Sequence, residues 1–423
     1  MNSRAIAGSR TLRAFRHRNY RLFFGGQLIS LIGTWMQSVA QAWLILTLTN
    51  DPFMLGLVSA IQWLPVLFLG LFGGIVADAL PKRRTLIATQ VSMMALAAIL
   101  GVLVQLEAIE IWMILVIAFL LGLANAVDMP VRQAFAVEMV GRDDVVNAVA
   151  LNSAMFNMAR IVGPAVAGLC IAAFGLAAAI LLNAASFLAV IVGLLIMRDE
   201  ELASPPLLPR PRSVRAVGAN LAEGLRYVRA TPLVLMATLV VGVVSTFAMN
   251  FNVLVPPYAR DVLGQKADGL GFLMATMGIG SLVAALTLAR AGRPSPWAIV
   301  GGALLLGIAE IAAGFAQAYA LGLGLLFLVG LGGVGMTATA NTTIQLVVPD
   351  QLRGRVMAIY LTVFAGATPI GGLFAGGLAS AWSVPAALAA GGAIAAVAGI
   401  VGVAWLRRVP ARAPSEPGVI TIA

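Results

Sequence analysis

One arginine in the middle of a long apolar run is the residue best placed to do chemistry in this sequence. Arg160 lies within the run 144–173. A charge at the centre of a membrane helix costs at least roughly 2.5–3.5 kcal/mol on insertion scales. It therefore requires a carboxylate, backbone carbonyls or an anionic ligand. Asp128 and Glu138 are the candidate counter-ions, and a substrate anion is the alternative. Ser153, Asn157, Arg160 and Pro164 recur at spacings of four, three and four, so they share one helix face. A second stripe, Gln27, Ser30, Thr34, Gln37 and Gln41, has the same periodicity in the first apolar run. Polar side chains in spanning helices face other helices or a water-filled cavity. Helix pairing would account for any single Gln or Ser, whereas the whole stripe reads as a cavity wall. Asn252 and Tyr360 extend this candidate substrate-cavity or coupling set into the seventh and eleventh runs, and Glu310 and Asp128 are the acids that could carry a proton.

Other chemistry is poorly provided for. Cys170 is the single cysteine and His17 the single histidine, so an internal disulfide or a cysteine-based metal site cannot form. We expect no metal and no cofactor. There is no acid pair, histidine cluster or nucleophile elbow at membrane depth, which speaks against an intramembrane enzyme. There is no glycine-rich loop followed by Lys-Ser/Thr, so ATP drive is not supported.

The elements that must position these residues are membrane helices. The 423 residues are 61% hydrophobic and 10% charged, against about 25% charged in soluble domains. Runs long enough to span a bilayer occur at 21–48, 54–79, 85–106, 110–127, 144–173, 176–197, 233–257, 269–290, 297–317, 320–340, 354–380 and 384–406. The fold expected is all-α, with twelve transmembrane helices in two six-helix bundles. With the N-terminus in the cytoplasm, 24 of the 27 Lys and Arg fall in inside segments, as the positive-inside rule requires. That puts both termini in the cytoplasm of a cell inner (plasma) membrane. It also makes the net charge of +10 a topology signal and removes the case for nucleic acid.

Residues 1–197 form the first bundle, 198–232 a cytoplasmic linker, and 233–423 the second bundle with its tail. In the linker, Val214, Val217, Leu221, Leu225 and Val228 recur every three or four residues, an amphipathic helix for the inner leaflet. The halves echo each other: Gly163-Pro164 and Thr368-Pro369 lie 205 residues apart, the kind of internal repeat common in transporters. Small residues around Gly163, Pro164 and Gly168 let another helix approach closely, and Pro164 predicts a kink.

Gly73–Leu86 reads G-G-I-V-A-D-A-L-P-K-R-R-T-L. It resembles the loop between the second and third helices of the major facilitator superfamily, with Gly74, Ala77, Asp78, Lys82, Arg83 and Leu86 in register. Ala79 and Pro81 depart from that pattern. The helix count and charge map agree with it. Phe15-Arg16-x-x-Asn19-Tyr20-Arg21, Gly33-Thr34-Trp35-Met36-Gln37, Arg132-Gln133-Ala134 and Asn157-x-Ala159-Arg160-x-x-Gly163-Pro164 are similar to the branch containing enterobactin exporters and macrolide efflux proteins. The resemblance implies export of a small siderophore- or drug-like solute by a monomer embedded in membrane lipids. The two bundles would rock about a central cavity, driven by a proton gradient. It also implies a cytoplasmic gate at Gly74, Asp78, Lys82, Arg83 and Arg84. Solute import on the same fold is the nearer alternative, and a non-transporting sensor or assembly protein the more distant one.

Overall fold

A computed structural model describes residues 10–69, 81–203, 214–292 and 294–408, and they are almost entirely helical. Backbone amides in hydrocarbon have no water to bond, so each apolar run satisfies its own as a helix. We number the spans α1 Arg18–Thr49, α2 Pro52–Leu69, α3 Lys82–Gln105 and α4 Ile111–Gly141. Asp143–Leu195 is 53 residues long, roughly 80 Å at 1.5 Å per residue, far more than a bilayer core of about 30 Å. It breaks at Gly175, where φ is 85° and ψ 173°, into α5 (143–174) and α6 (176–195). Such a left-handed φ is free only for glycine, and Gly141, with φ 71°, separates α4 from α5 in the same way. There follow α7 Pro232–Val262, α8 Ala267–Ala291, α9 Pro296–Phe315, α10 Tyr319–Val347, α11 Asp350–Ala381 and α12 Val384–Arg408. That makes twelve membrane-length segments among the described residues. Between α6 and α7 lies the linker helix Val214–Ala230.

Turn chemistry marks several junctions. Asn50 ends α1 in the left-handed region at φ 51°. The Asp51 carboxylate then accepts the Phe53 N–H at 2.9 Å, and Pro52 opens α2, as helix starts favour. One expectation is corrected: α4 does not stop at 127 but continues through Pro130 to Gly141. The polar residues 128–133 remain helical because Asp128 and Arg132 pair one turn apart, 3.0 Å between Oδ2 and Nη2.

The contacts sort into two units. The first comprises Met1–Asn50, Ile61–Leu207 and Lys266–Ala275. In it α1 lies against α5 and α6 through glycines: a Cβ at Gly26 would sit 2.6 Å from the Ala189 carbonyl oxygen, and one at Gly33 2.5 Å from Asn183 and Ser186. At one end Tyr20, Phe23, Leu86, Phe135, Met139 and Leu194 form an apolar cluster. Polar bonds surround it. Asn19 clamps Arg198 twice, through its carbonyl at 2.8 Å and its N–H at 3.1 Å. Tyr20 donates to the Ala148 carbonyl at 3.1 Å. The N-terminal turn Arg10–Arg16 docks on α5, where the Ala14 N–H donates to Asn147 at 2.8 Å and His17 lies 3.0 Å from Asp144.

The second unit comprises Asp51–Ala60, Leu208–Gln265 and Thr276–Ala423. Here α9 and α12 approach through Gly307 and Gly392, each of whose Cβ positions would lie 2.5 Å from the other's carbonyl oxygen. The linker helix rests on α11: Glu223 pairs with Arg355, and a Cβ at Gly224 would sit 3.2 Å from Arg355. Leu221 and Leu225 point away and are exposed, which suits the amphipathic reading.

Candidate functional site

The polar face of α5 changes character halfway along. Ser153, Phe156, Asn157, Arg160, Gly163, Pro164, Ala167 and Gly168 share it. Ser153 and Phe156 are exposed and Asn157 and Arg160 partly so, while Gly163, Pro164, Ala167 and Gly168 are buried. The buried part is wedged. A Cβ at Gly163 would lie 2.5 Å from Trp35 Cβ and 2.9 Å from the Ile32 carbonyl oxygen of α1. One at Gly168 would lie 2.8 Å from Asp268 Cα, and one on Gly271 would strike the Pro164 carbonyl. The opposite face, Ala154, Met158, Val162, Val166 and Leu169, is apolar and exposed throughout, as a lipid-facing stripe must be. The kink expected at Gly163, Pro164 and Gly168 takes no departure from helical φ/ψ, since only Gly141 and Gly175 leave it within Ile111–Leu195. Close helix approach is what these residues provide.

Arg160 stands at the boundary between the open and wedged parts. It is roughly 25 Å from Asp143 and roughly 22 Å from Gly175 along the helix, too deep for its side chain to reach either end. One guanidinium nitrogen, Nη2, donates to Asn157 Oδ1 at 3.2 Å, and the Asn157 amide donates onward to the Ser153 carbonyl at 2.8 Å. Arg160 Nε is buried with no hydrogen-bond partner among the described residues.

The counter-ions considered for Arg160 are used elsewhere. Asp128, fully buried, accepts from Thr89 at 2.8 Å and Gln90 at 2.9 Å. Its other oxygen lies beside Arg132 without hydrogen-bond alignment. Glu138 pairs with Lys82 at 2.7 Å. Asp128 thus joins α3 to α4 through Oδ1, while Oδ2 has only the Arg132 ion pair.

The α1 stripe divides too. Gln37 accepts from Asn183 of α6 at 2.5 Å, so it pairs helices. Gln27, Ser30 and Gln41 are buried, and Gln27 Oε1 has no hydrogen-bond partner among the described residues. Thr34 is exposed, its hydroxyl donating to the Ser30 carbonyl at 2.9 Å. In the second unit Asn252 is exposed on α7. Tyr360 is buried and donates to the Thr337 carbonyl of α10 at 3.1 Å, which makes it a helix tie. Glu310 is 1% exposed and packed beside Gly392, and neither carboxyl oxygen is hydrogen-bonded to a described residue.

Of the expected gate, Gly74 and Asp78 lie outside the described residues. Arg83 donates to the Leu194 carbonyl at 2.7 Å and the Leu195 carbonyl at 2.8 Å, and pairs with Asp199 at 2.5 Å. Together with Lys82–Glu138 it fastens the start of α3 to α4 and α6. Arg84 is exposed. Among the described residues no three His, Cys, Asp or Glu side chains group as a metal site. Sequence reasoning missed Thr89, Gln90, Asn183 and Ser186. Asn183, a lone amide inside the apolar run of α6, was the available signal.

Twelve apolar helices carrying buried amides and one deep cation define a multi-pass membrane transporter. The model of the family described as "Transmembrane secretion effector" matches residues 9–416. The chain belongs to that family, a branch of the major facilitator superfamily and one of transporters, not enzymes. It is 27% identical to the Staphyloferrin A transporter of Staphylococcus aureus over 84% of this chain and 87% of that one. It is 29% identical to the multidrug efflux pump Tap of Mycolicibacterium fortuitum over 82% and 86%. In fold it is similar to a solved bacterial homologue of the human lysosomal transporter Spinster, with a TM-score of 0.71 at 14% identity, covering 94% of this chain and 97% of that one.

Proposed function

We propose that this protein exports a small organic solute across a bacterial inner membrane by alternating access, as a monomer with both termini in the cytoplasm. The observation that carries this reading is the α5 face, where Ser153, Asn157 and Arg160 form a polar strip between the contacts of Asp144 and Asn147 near the helix start and the wedged residues from Gly163 to Gly168. Such a strip at membrane depth serves a solute or ion path. Membership of a secretion-effector family and similarity to the efflux pump Tap favour the outward direction. Thr34, Gln27 and Asn252 supply further polar groups for the solute.

The division into residues 1–197, 198–232 and 233–423 supplies the two moving bundles and their tether. The loop around Gly74 and Asp78, continued by Lys82, Arg83 and Arg84, is the cytoplasmic gate. The proposed drive is the proton gradient, with Glu310 as the candidate carrier, an acid buried in α9 whose carboxyl oxygens bond no described residue. Vesicle transport in both orientations tests the reading. Solute moving out of the cytoplasmic side, faster with an opposing pH gradient and abolished by an uncoupler, is the expected result. Accumulation in the inward direction under the same gradient overturns export.

A further inference from the structure

We propose that Arg160, steadied by Asn157, is an anion subsite and that the solute carried by this protein bears a carboxylate. The inference rests on the export reading and names its substrate class. The two acids of α4 considered as its counter-ions are engaged elsewhere: Asp128 has Arg132, Thr89 and Gln90, and Glu138 has Lys82. Arg160 forms no ion pair with any described residue, has one amide as its partner, and keeps a buried, unbonded Nε. A guanidinium in that state is desolvated on one side without being neutralised.

Arg160 is itself partly exposed, and the helix face it shares with Ser153 and Asn157 lies opposite the apolar stripe of Ala154, Met158, Val162, Val166 and Leu169. The planar fork of an arginine matches the two oxygens of a carboxylate, and a charge-assisted pair of this kind is about twice as strong as a neutral hydrogen bond. One cation balances one monoanion. A phosphate dianion would call for a second cation, and the described part of this α5 face holds none. Asn157 fixes the guanidinium through Oδ1, which leaves the remaining donors for the ligand.

The test is equilibrium binding, which does not depend on transport. The purified full-length protein in lipid nanodiscs is titrated by thermal shift with a broad panel of organic acids, each matched to its own amide, and with inorganic sulfate. Wild type, Arg160→Gln and Arg160→Lys are compared. We expect some acids to stabilise the wild type more than their amides. Arg160→Gln should weaken acid binding about tenfold to a hundredfold while leaving amide binding unchanged, and Arg160→Lys should keep part of the acid preference. Acids and amides binding alike, acid preference surviving in Arg160→Gln, sulfate alone binding, or no acid binding the wild type would each overturn the proposal. If Arg160→Gln does not fold, the acid–amide comparison in wild type and Arg160→Lys decides it. Vectorial export of a neutral or cationic solute would sink the anion subsite and leave export standing. Acid-selective binding with inward transport would sink export and leave the subsite standing.

Discussion

α5 and α11 occupy the same place in the two halves of the sequence, yet only one carries charge at depth. Pro164 and Pro369 correspond, 205 residues apart, and Arg160 then falls opposite Ala365. Each helix is held near its start by a short segment that precedes its half. The N-terminal turn meets α5 through Ala14–Asn147 and His17–Asp144, and the linker helix meets α11 through Glu223–Arg355. Each also carries glycines that admit another backbone, Gly163 against α1 and Gly371 against Thr246 of α7. The shared features are those of packing. The feature that differs, a lone guanidinium in α5 where α11 has Ala365, is the one that could select a solute.

Variants that test this contrast fall in order of size. Gly163→Leu and Gly371→Leu should each cost about 3 kcal/mol or more, since the intruding side chain meets backbone; thermal unfolding in detergent measures both, and a marked disparity would break the packing equivalence. Arg160→Gln should lower export of an acidic solute by about tenfold or more, read as initial rate in vesicles at matched protein level. Glu138→Gln should cost about 1–3 kcal/mol by leaving Lys82 unpaired in a place only 10% exposed; a Lys82→Met, Glu138→Gln double variant should recover part of it. Tyr360→Phe should cost about 1 kcal/mol, one hydrogen bond, with transport kept; loss of transport at wild-type stability would return Tyr360 to the solute path. Arg84→Ala, at an exposed position, should change stability by less than about 0.5 kcal/mol.

The sequence made the spans legible because a bilayer demands a run of fixed length, and α1, α9 and α12 lie within a few residues of their expected bounds. It misplaced the end of α4 because Asp128, Pro130 and Arg132 look like a loop until Thr89 and Gln90 of another helix are seen to bond the acid. The α1 stripe was legible as polar but not as divided. Periodicity reveals which residues share a face, whereas the partner, Asn183 for Gln37, is a three-dimensional fact. Arg160 stood out from its cost alone. That it lacks a counter-ion among the described residues required every other charge near it to be matched first.

The Asn19 clamp has a consequence for biosynthesis. Its two bonds join residues 179 apart in the chain. When α1 enters the membrane, the Asn19 amide lacks the Arg198 backbone that it will bond, and that backbone follows α6 in the chain. A nascent chain that stops before Leu194 lacks both bonds, and its Tyr20 cluster also lacks Leu194 and Met197. The contacts of Asn19 and Tyr20 are therefore complete only once the chain through Arg198 has been made.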